Sequence, residues 1–305
     1  MDYQRSISCQ LKKQLNSFLK LWFLVIPQLF YCFSSTSQTQ QGLSTKEQQS
    51  LKLIRELEHF GRKTLKLKLH HHFYTQWQEP ELQNTYLYLS RPDSIVLPEK
   101  ANAFEFFGTD TSAARIKADS CTLAGLDALI YRTSGTSAVK LTHHLLNYPP
   151  EAIVFVVLHE MAHVHQNEKK TNIPYSAEES FGDFLGNVAG EYFVQNRHPE
   201  WLKAFQHQRM IHEQLYALFY KTEMRVQGIS KDRKILIYAQ AQVQLNALME
   251  LANSFQNDRF NYAMNNAYIL RNRFYYRWYN NFLSAAQRGD TWKQLRQRYD
   301  TFSEL

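Results

Sequence analysis

The chain has 305 residues, 44% hydrophobic, 21% charged and 14% aromatic, with ten Gly and eight Pro. That much apolar content with so little Gly and Pro excludes collagen-like, low-complexity and disordered chains and leaves room for a sizeable core. The net charge is +7, but residues 1–37 contribute Arg5, Lys12, Lys13 and Lys20 against Asp2 alone; without them 31 basic and 27 acidic residues remain. No Lys/Arg run interleaved with aromatics is present, so nucleic acid is not an expected partner.

The basic residues precede an apolar run, Leu21 to Phe30, followed by Ser34-Ser35-Thr36-Ser37. This is the order of a signal peptide, with Ser35 and Ser37 suited to a peptidase site and Gln38 the new N-terminus. The run contains Pro27 and is short for a bilayer span. An uncleaved segment here is the expected route to a membrane, if one is used. Phe30-Tyr31 ahead of Cys32 fits a lipid-attachment site poorly. The expected location is exported, periplasmic or envelope-associated. Cleavage leaves Cys121 as the one cysteine, so the mature chain 38–305, read as a single domain, has no intramolecular disulfide.

Leu51, Ile54, Leu57 and Phe60 recur at helical spacing and predict a helix over about 45–64. Three neighbouring side chains point different ways on any regular element, so His70-His71-His72 reads as a solvated turn. Tyr86 to Leu89, Phe104 to Phe107 and Asp127 to Arg132 read as strands, with a helix from Ala113 to Leu123 ended by Gly125. Thr133 to Ser137 is a polar loop, and Val139 to Asn147 reads as a short helix. From Pro150 onward the chain reads helical, with later segments near 176–196, 200–227, 232–256 and 260–287. His165 reads as a rim or surface residue. The fold class is therefore α+β, mainly α, with a small mixed sheet in the N-terminal half and long helices in the C-terminal half.

His159-Glu160-Met161-Ala162-His163 follows Pro149-Pro150-Glu151 and the apolar run Ala152 to Leu158. Pro and Glu at the start favour a helix there, and length without breakers favours helix over strand despite Ile153, Val154, Val156 and Val157. On a helix, residues four apart share a face, so His159 and His163 can hold one Zn2+ while Glu160 acts on water activated by the metal. Glu179 on the following helix can supply a third ligand, with Glu178 as its rival. Asp183, one turn further on, can orient a ligand histidine through its other ring nitrogen. Ser176 with Glu179 also spells a capping box, which would give Glu179 a merely structural role. Two His and one Glu leave a position open for solvent, the catalytic rather than the structural zinc pattern. A second electrophile is expected from the C-terminal half, where Asn265-Asn266-Ala267 and Phe274-Tyr275-Tyr276 are candidates.

With these segments the chain resembles a predicted zinc aminopeptidase family of bacterial envelopes within the gluzincin group. The resemblance rests on His159 to His163 and on Glu178-Glu179-Ser180-Phe181-Gly182. More loosely, it includes Gly125-Leu126-Asp127, Thr133-Ser134-Gly135, Asn265-Asn266-Ala267 and Tyr275-Tyr276. It implies a gluzincin-like fold, a peptide substrate, zinc ligands His159, His163 and Glu179, and Glu160 as acid/base. It suggests Tyr275 beside Glu160 in the chemistry, and Ser134, Gly135, Asn265 and Asn266 at the substrate. Glu178 stands where the family has Asn, and no Gly-x-Met-Glu-Asn motif for a free amino terminus is present. A different class of function is a non-catalytic envelope scaffold in which the metal staples two helices, which needs a fourth protein ligand.

Overall fold

The computed structural model describes residues 42–70, 73–78, 83–96, 104–133, 140–170, 173–252 and 262–302. The expected signal peptide at 1–37, His71, His72, Ser134 and Gly135 lie outside them. Residues Ser44–Leu305 form one compact unit, with no boundary between the sheet-bearing half and the helical half.

Helix α1 (Thr45–Lys63) starts with a capping box in which Ser44 and Glu47 satisfy each other's backbone N–H groups. Its apolar stripe buries Leu53, Ile54, Leu57 and Phe60. Beyond the helix the chain turns Leu65, Leu67 and Leu69 inward. Strands β2 (Asn84–Ser90), β3 (Glu105–Phe106) and β4 (Asp127–Thr133) form an antiparallel sheet in the order β3-β2-β4. Alternation gives this sheet two different faces. Leu87 and Leu89 pack with Ala118 of α2 (Thr111–Leu123), while Tyr86 and Tyr88 point to the opposite side with Tyr131. Gly125, at φ +86°, makes the turn from α2 into β4 that a β-carbon would strain.

Two sequence expectations change here. The 139–147 segment is not one helix: Lys140–Leu141 (β5) pairs parallel with Gln76–Trp77 (β1), and only His143–Leu146 (α3) is helical. The N-terminal part of the segment is held by this non-local pairing, which local propensity does not report. The strands also divide, among the described residues, into an antiparallel sheet and a separate parallel pair rather than one mixed sheet.

Helix α4 (Pro150–Lys169) is the central element. Every residue from Ala152 to Leu158 is buried, so the β-branched run is helical because it is surrounded on all sides. Each large apolar side chain buried there contributes up to about 1.5–3 kcal/mol. Helix α5 (Tyr175–Phe184) packs on α4 and runs on through a π-helical stretch, Leu185–Ala189, into α6 (Gly190–Arg197). A β-carbon at Gly186 would meet the Phe155 ring at 2.7 Å and its carbonyl oxygen at 3.0 Å, so glycine sets how closely the π stretch approaches α4. Helices α7 (Leu202–Val226) and α8 (Lys231–Leu251) pack on each other. The expected 260–287 helix is, where described, two helices: α9 (Asn266–Tyr276) and α10 (Tyr279–Gln287). At the break, the Trp278 N–H groups donate to α5, backbone to Ser180 Oγ and indole to Ser176 Oγ, both at 3.1 Å. A last helix, α11 (Trp292–Asp300), closes the face near α4. It buries His165, which the sequence placed at the rim: Lys68 N–H donates to its Nδ1 at 2.8 Å, and its Nε2 lies 2.9 Å from Asp300 Oδ1. Among the described residues, no helix is long and apolar enough to cross a membrane.

Candidate metal centre

On α4, His159 and His163 stand one turn apart with ring centroids 5.1 Å apart. Their Nε2 atoms approach to 3.2 Å. Glu179 of α5 closes the group, with Oε2 3.4 Å from His159 Nε2 and Oε1 3.9 Å from His163 Nε2. These three residues form a group that could hold a metal ion, every donor atom within 4.8 Å of the others.

The outer ring nitrogens explain why the inner ones converge. His159 Nδ1 lies 2.7 Å from Asp183 Oδ1, and His163 Nδ1 lies 2.6 Å from Glu178 Oε1. A carboxylate only accepts, so the His163 Nδ1 bonded to Glu178 carries the proton, and the contact of His159 Nδ1 with Asp183 favours the same tautomer, in which a neutral ring turns its Nε2 lone pair inward. Two lone pairs at 3.2 Å and a carboxylate beside them repel one another unless a cation or a shared proton lies between. Tetrahedral zinc with bonds of about 2.0–2.2 Å separates its ligand atoms by about 3.3–3.6 Å. The observed separations bracket that value, so these residues fit zinc.

The titration of the group carries the same stress. Burial works against a charged His159, yet Asp183 and Glu179 raise it to about 10. Burial likewise opposes charge on His163, and Glu179, Glu178 and Glu160 raise it to about 9. Burial pushes Glu179 up, but the two histidines and a hydrogen bond from Tyr175 hold it down at about 2. With the two Nε2 atoms so close, both rings cannot carry an inward proton. One cation, or one shared proton, relieves the crowding of the two Nε2 atoms.

Local sequence explains the fit. Gly182 lies against His159: a β-carbon there would meet ring atoms Cε1 and Nδ1 at 2.9 Å. Helix α5 begins at Tyr175 after Pro174, two residues earlier than a Ser176 cap requires, and carries no side-chain cap. The capping-box alternative therefore falls away, and Glu179 is free to face the histidines. Glu178, the rival ligand, sits on the outer nitrogen of His163 at 2.6 Å, with the Gln166 side-chain amide against its carboxylate.

Around the group, His159, Glu179 and Asp183 are buried, whereas the His163 side chain is 22% exposed and marks the solvent side. Glu160 is half-buried and close enough to act electrostatically on His163, Tyr74 and Tyr86. The Tyr275 ring stacks on His159 at 6.2 Å. Asn265 and Asn266 are used otherwise than expected. Asn265 caps α9 by accepting from Tyr268 N–H and donates to Ala128 O at 3.0 Å. Asn266, fully buried, accepts from the Tyr238 hydroxyl, donates to Arg91 O and Pro92 O, and its backbone N–H donates to Asp127. Both tie α9 to the sheet side, which gives each amide a structural use of its own.

Sequence reasoning missed several neighbours. Tyr175 was visible only as an aromatic at a helix start. Tyr86 and Tyr88 were visible as a strand but not as the face turned to the site. Tyr74, with φ +45° and a buried hydroxyl that has no partner, gave no signal at all. Neither did Arg271 of α9, whose guanidinium lies 5.0 Å from the Tyr275 ring. No family model, curated protein or solved structure matches the chain.

Proposed function

We propose that the chain is an exported zinc-dependent peptidase that hydrolyses a peptide bond between α4, α5 and the tyrosine face of the sheet. One observation carries this reading: three donor groups converge while the two histidines are held, from behind, by separate carboxylates. His159, His163 and Glu179 would hold the ion, and among the described residues no fourth side chain joins them. That supports an open, catalytic site over a scaffold stapled by metal.

When bound, zinc supplies Lewis acidity that eases deprotonation of a water and polarises a carbonyl. Glu160, next to His159 on α4 and half-exposed, takes the proton from the attacking water and later delivers it to the leaving amine. Asp183 and Glu178 keep the ligand rings in the tautomer that points Nε2 inward. Tyr275, stacked on His159, is the candidate donor to the developing oxyanion. The expectation of an amino-terminal exopeptidase comes from the family resemblance alone.

The test is digestion of a pooled peptide library by the zinc-loaded protein and by Glu160→Gln. Cleavage by the first and none by the second, with zinc still bound, supports the reading. Equal cleavage by both removes Glu160 from the mechanism.

A further inference from the structure

Arg271, on α9 one turn before Tyr275, is 1% exposed. Its guanidinium carbon lies 4.0 Å from the Tyr131 ring centre and 5.0 Å from that of Tyr275. Among the described residues its one hydrogen bond is from Nη1 to the neutral Asn272 Oδ1 at 3.0 Å. Among the described residues its Nε has no hydrogen-bond partner and no carboxylate pairs with it. Buried guanidinium groups are ordinarily matched by an anion, because an uncompensated buried charge is strongly unfavourable. Burial works against its charge, yet the surrounding tyrosines, Tyr131 and Tyr275 foremost, keep it cationic.

Its place relative to the candidate metal centre gives this buried cation a meaning. Tyr275 neighbours both, 5.0 Å from the guanidinium and 6.2 Å from the His159 ring. The guanidinium is thus at most about 11 Å from the histidine ring, the span of about three extended residues or fewer. Tyr131 and Tyr275 are each half-buried, and a peptide that reaches the guanidinium would displace one of these rings to another rotamer.

Resting on the peptidase reading, we propose that Arg271 receives the free C-terminal carboxylate of the peptide, so that cleavage falls within about three residues of that end. The planar fork of the guanidinium pairs with a carboxylate through Nε–H and an Nη–H, and the aromatic walls exclude water from the pair. A side-chain carboxylate has the same chemistry, and the experiment separates the two sources.

The probes are N-acetyl-trialanine as free acid, the same peptide as C-terminal amide, and the amide of N-acetyl-Ala-Glu-Ala. Binding is measured by calorimetry on the metal-free protein, where no metal can capture the carboxylate. The free acid is expected to bind at least about tenfold more tightly than either amide, a ratio typical of one charge-assisted bidentate contact. Arg271→Met should abolish the difference while leaving amide binding and zinc stoichiometry unchanged. Arg271→Lys, which keeps the charge without the fork, should retain part of it and serves if the first variant does not fold. Equal binding of acid and amide by the wild type overturns the proposal. So does an equal loss of both probes in the variants, or a Glu-containing amide that binds as well as the acid. Failure of the underlying reading is distinguishable: the zinc-loaded protein would cleave no peptide while the acid–amide difference persisted.

Discussion

Gly182→Ala separates the geometry of the site from the stability of the helix that carries it. The new methyl carbon would lie 2.9 Å from two atoms of the His159 ring. Carbon contacts settle at about 3.5–4.0 Å, so the ring must retreat by about 0.6–1 Å. Retreat is obstructed, because Asp183 holds Nδ1 at 2.7 Å and Phe155 and Tyr275 flank the ring at 6.1 and 6.2 Å. A metal ligand tolerates about 0.2 Å of error, so zinc affinity should fall by about 10–100-fold. Folding should suffer less. Overpacking costs about 1–3 kcal/mol, and alanine in place of glycine in a helix returns about 1 kcal/mol. The net cost is then about 0–2 kcal/mol. Chelator competition for zinc and thermal melting of the metal-free protein give the two numbers. Zinc affinity within about twofold of wild type would refute the reasoning, since His159 would then be neither confined nor required.

Removing a rear carboxylate, Asp183→Ala or Glu178→Ala, should weaken zinc binding by about 10–100-fold without removing a ligand, measured by the same competition. Glu179→Ala should abolish stoichiometric zinc, and retention of the ion would transfer the ligand role to another residue. Glu160→Gln should keep zinc and lose at least about 100-fold in turnover, the scale of general acid–base catalysis. The pH dependence has a definite sign. His159 and His163 are raised to about 10 and about 9 in the metal-free fold, above the ordinary value near 6.5. With room for one inward proton between the two Nε2 atoms, the proton that the pair shares contributes stability that is lost as pH rises from about 6.5 through 9–10. The melting temperature of chelator-treated protein should fall on this account as pH rises from 6.5 to 10. Zinc affinity should run the other way, gaining at least about tenfold per pH unit up to about pH 9, because the ion displaces a proton. A flat or rising melting curve for the metal-free protein would contradict the charge assignment.

Much of the site was legible because its logic is local. His159 and His163 share a face through helical spacing, and Glu179 and Asp183 repeat that spacing one helix later. What was not legible depended on contacts distant in sequence. Glu178 and Glu179 are neighbours in the chain, and only the packing of α5 on α4 decides which one faces Nε2 and which faces Nδ1 of His163. His165 was misplaced because α11, which buries it, lies 135 residues away in the chain. Asn265 and Asn266 were drawn toward a substrate role by the family resemblance, whereas each amide joins α9 to segments more than 130 residues earlier. The β5 pairing with β1 and the break at Trp278 are non-local in the same way. Helical periodicity found the long elements but not the contacts that interrupt them.

The account's central claim is one zinc ion on His159, His163 and Glu179. X-ray absorption at the zinc edge of the purified protein tests it directly. The predicted result is one zinc per chain with two imidazole nitrogens and light oxygen ligands at about 2.0–2.2 Å, the count falling by one nitrogen in His163→Ala. A protein that binds no zinc, or a spectrum unchanged by that substitution, would contradict it.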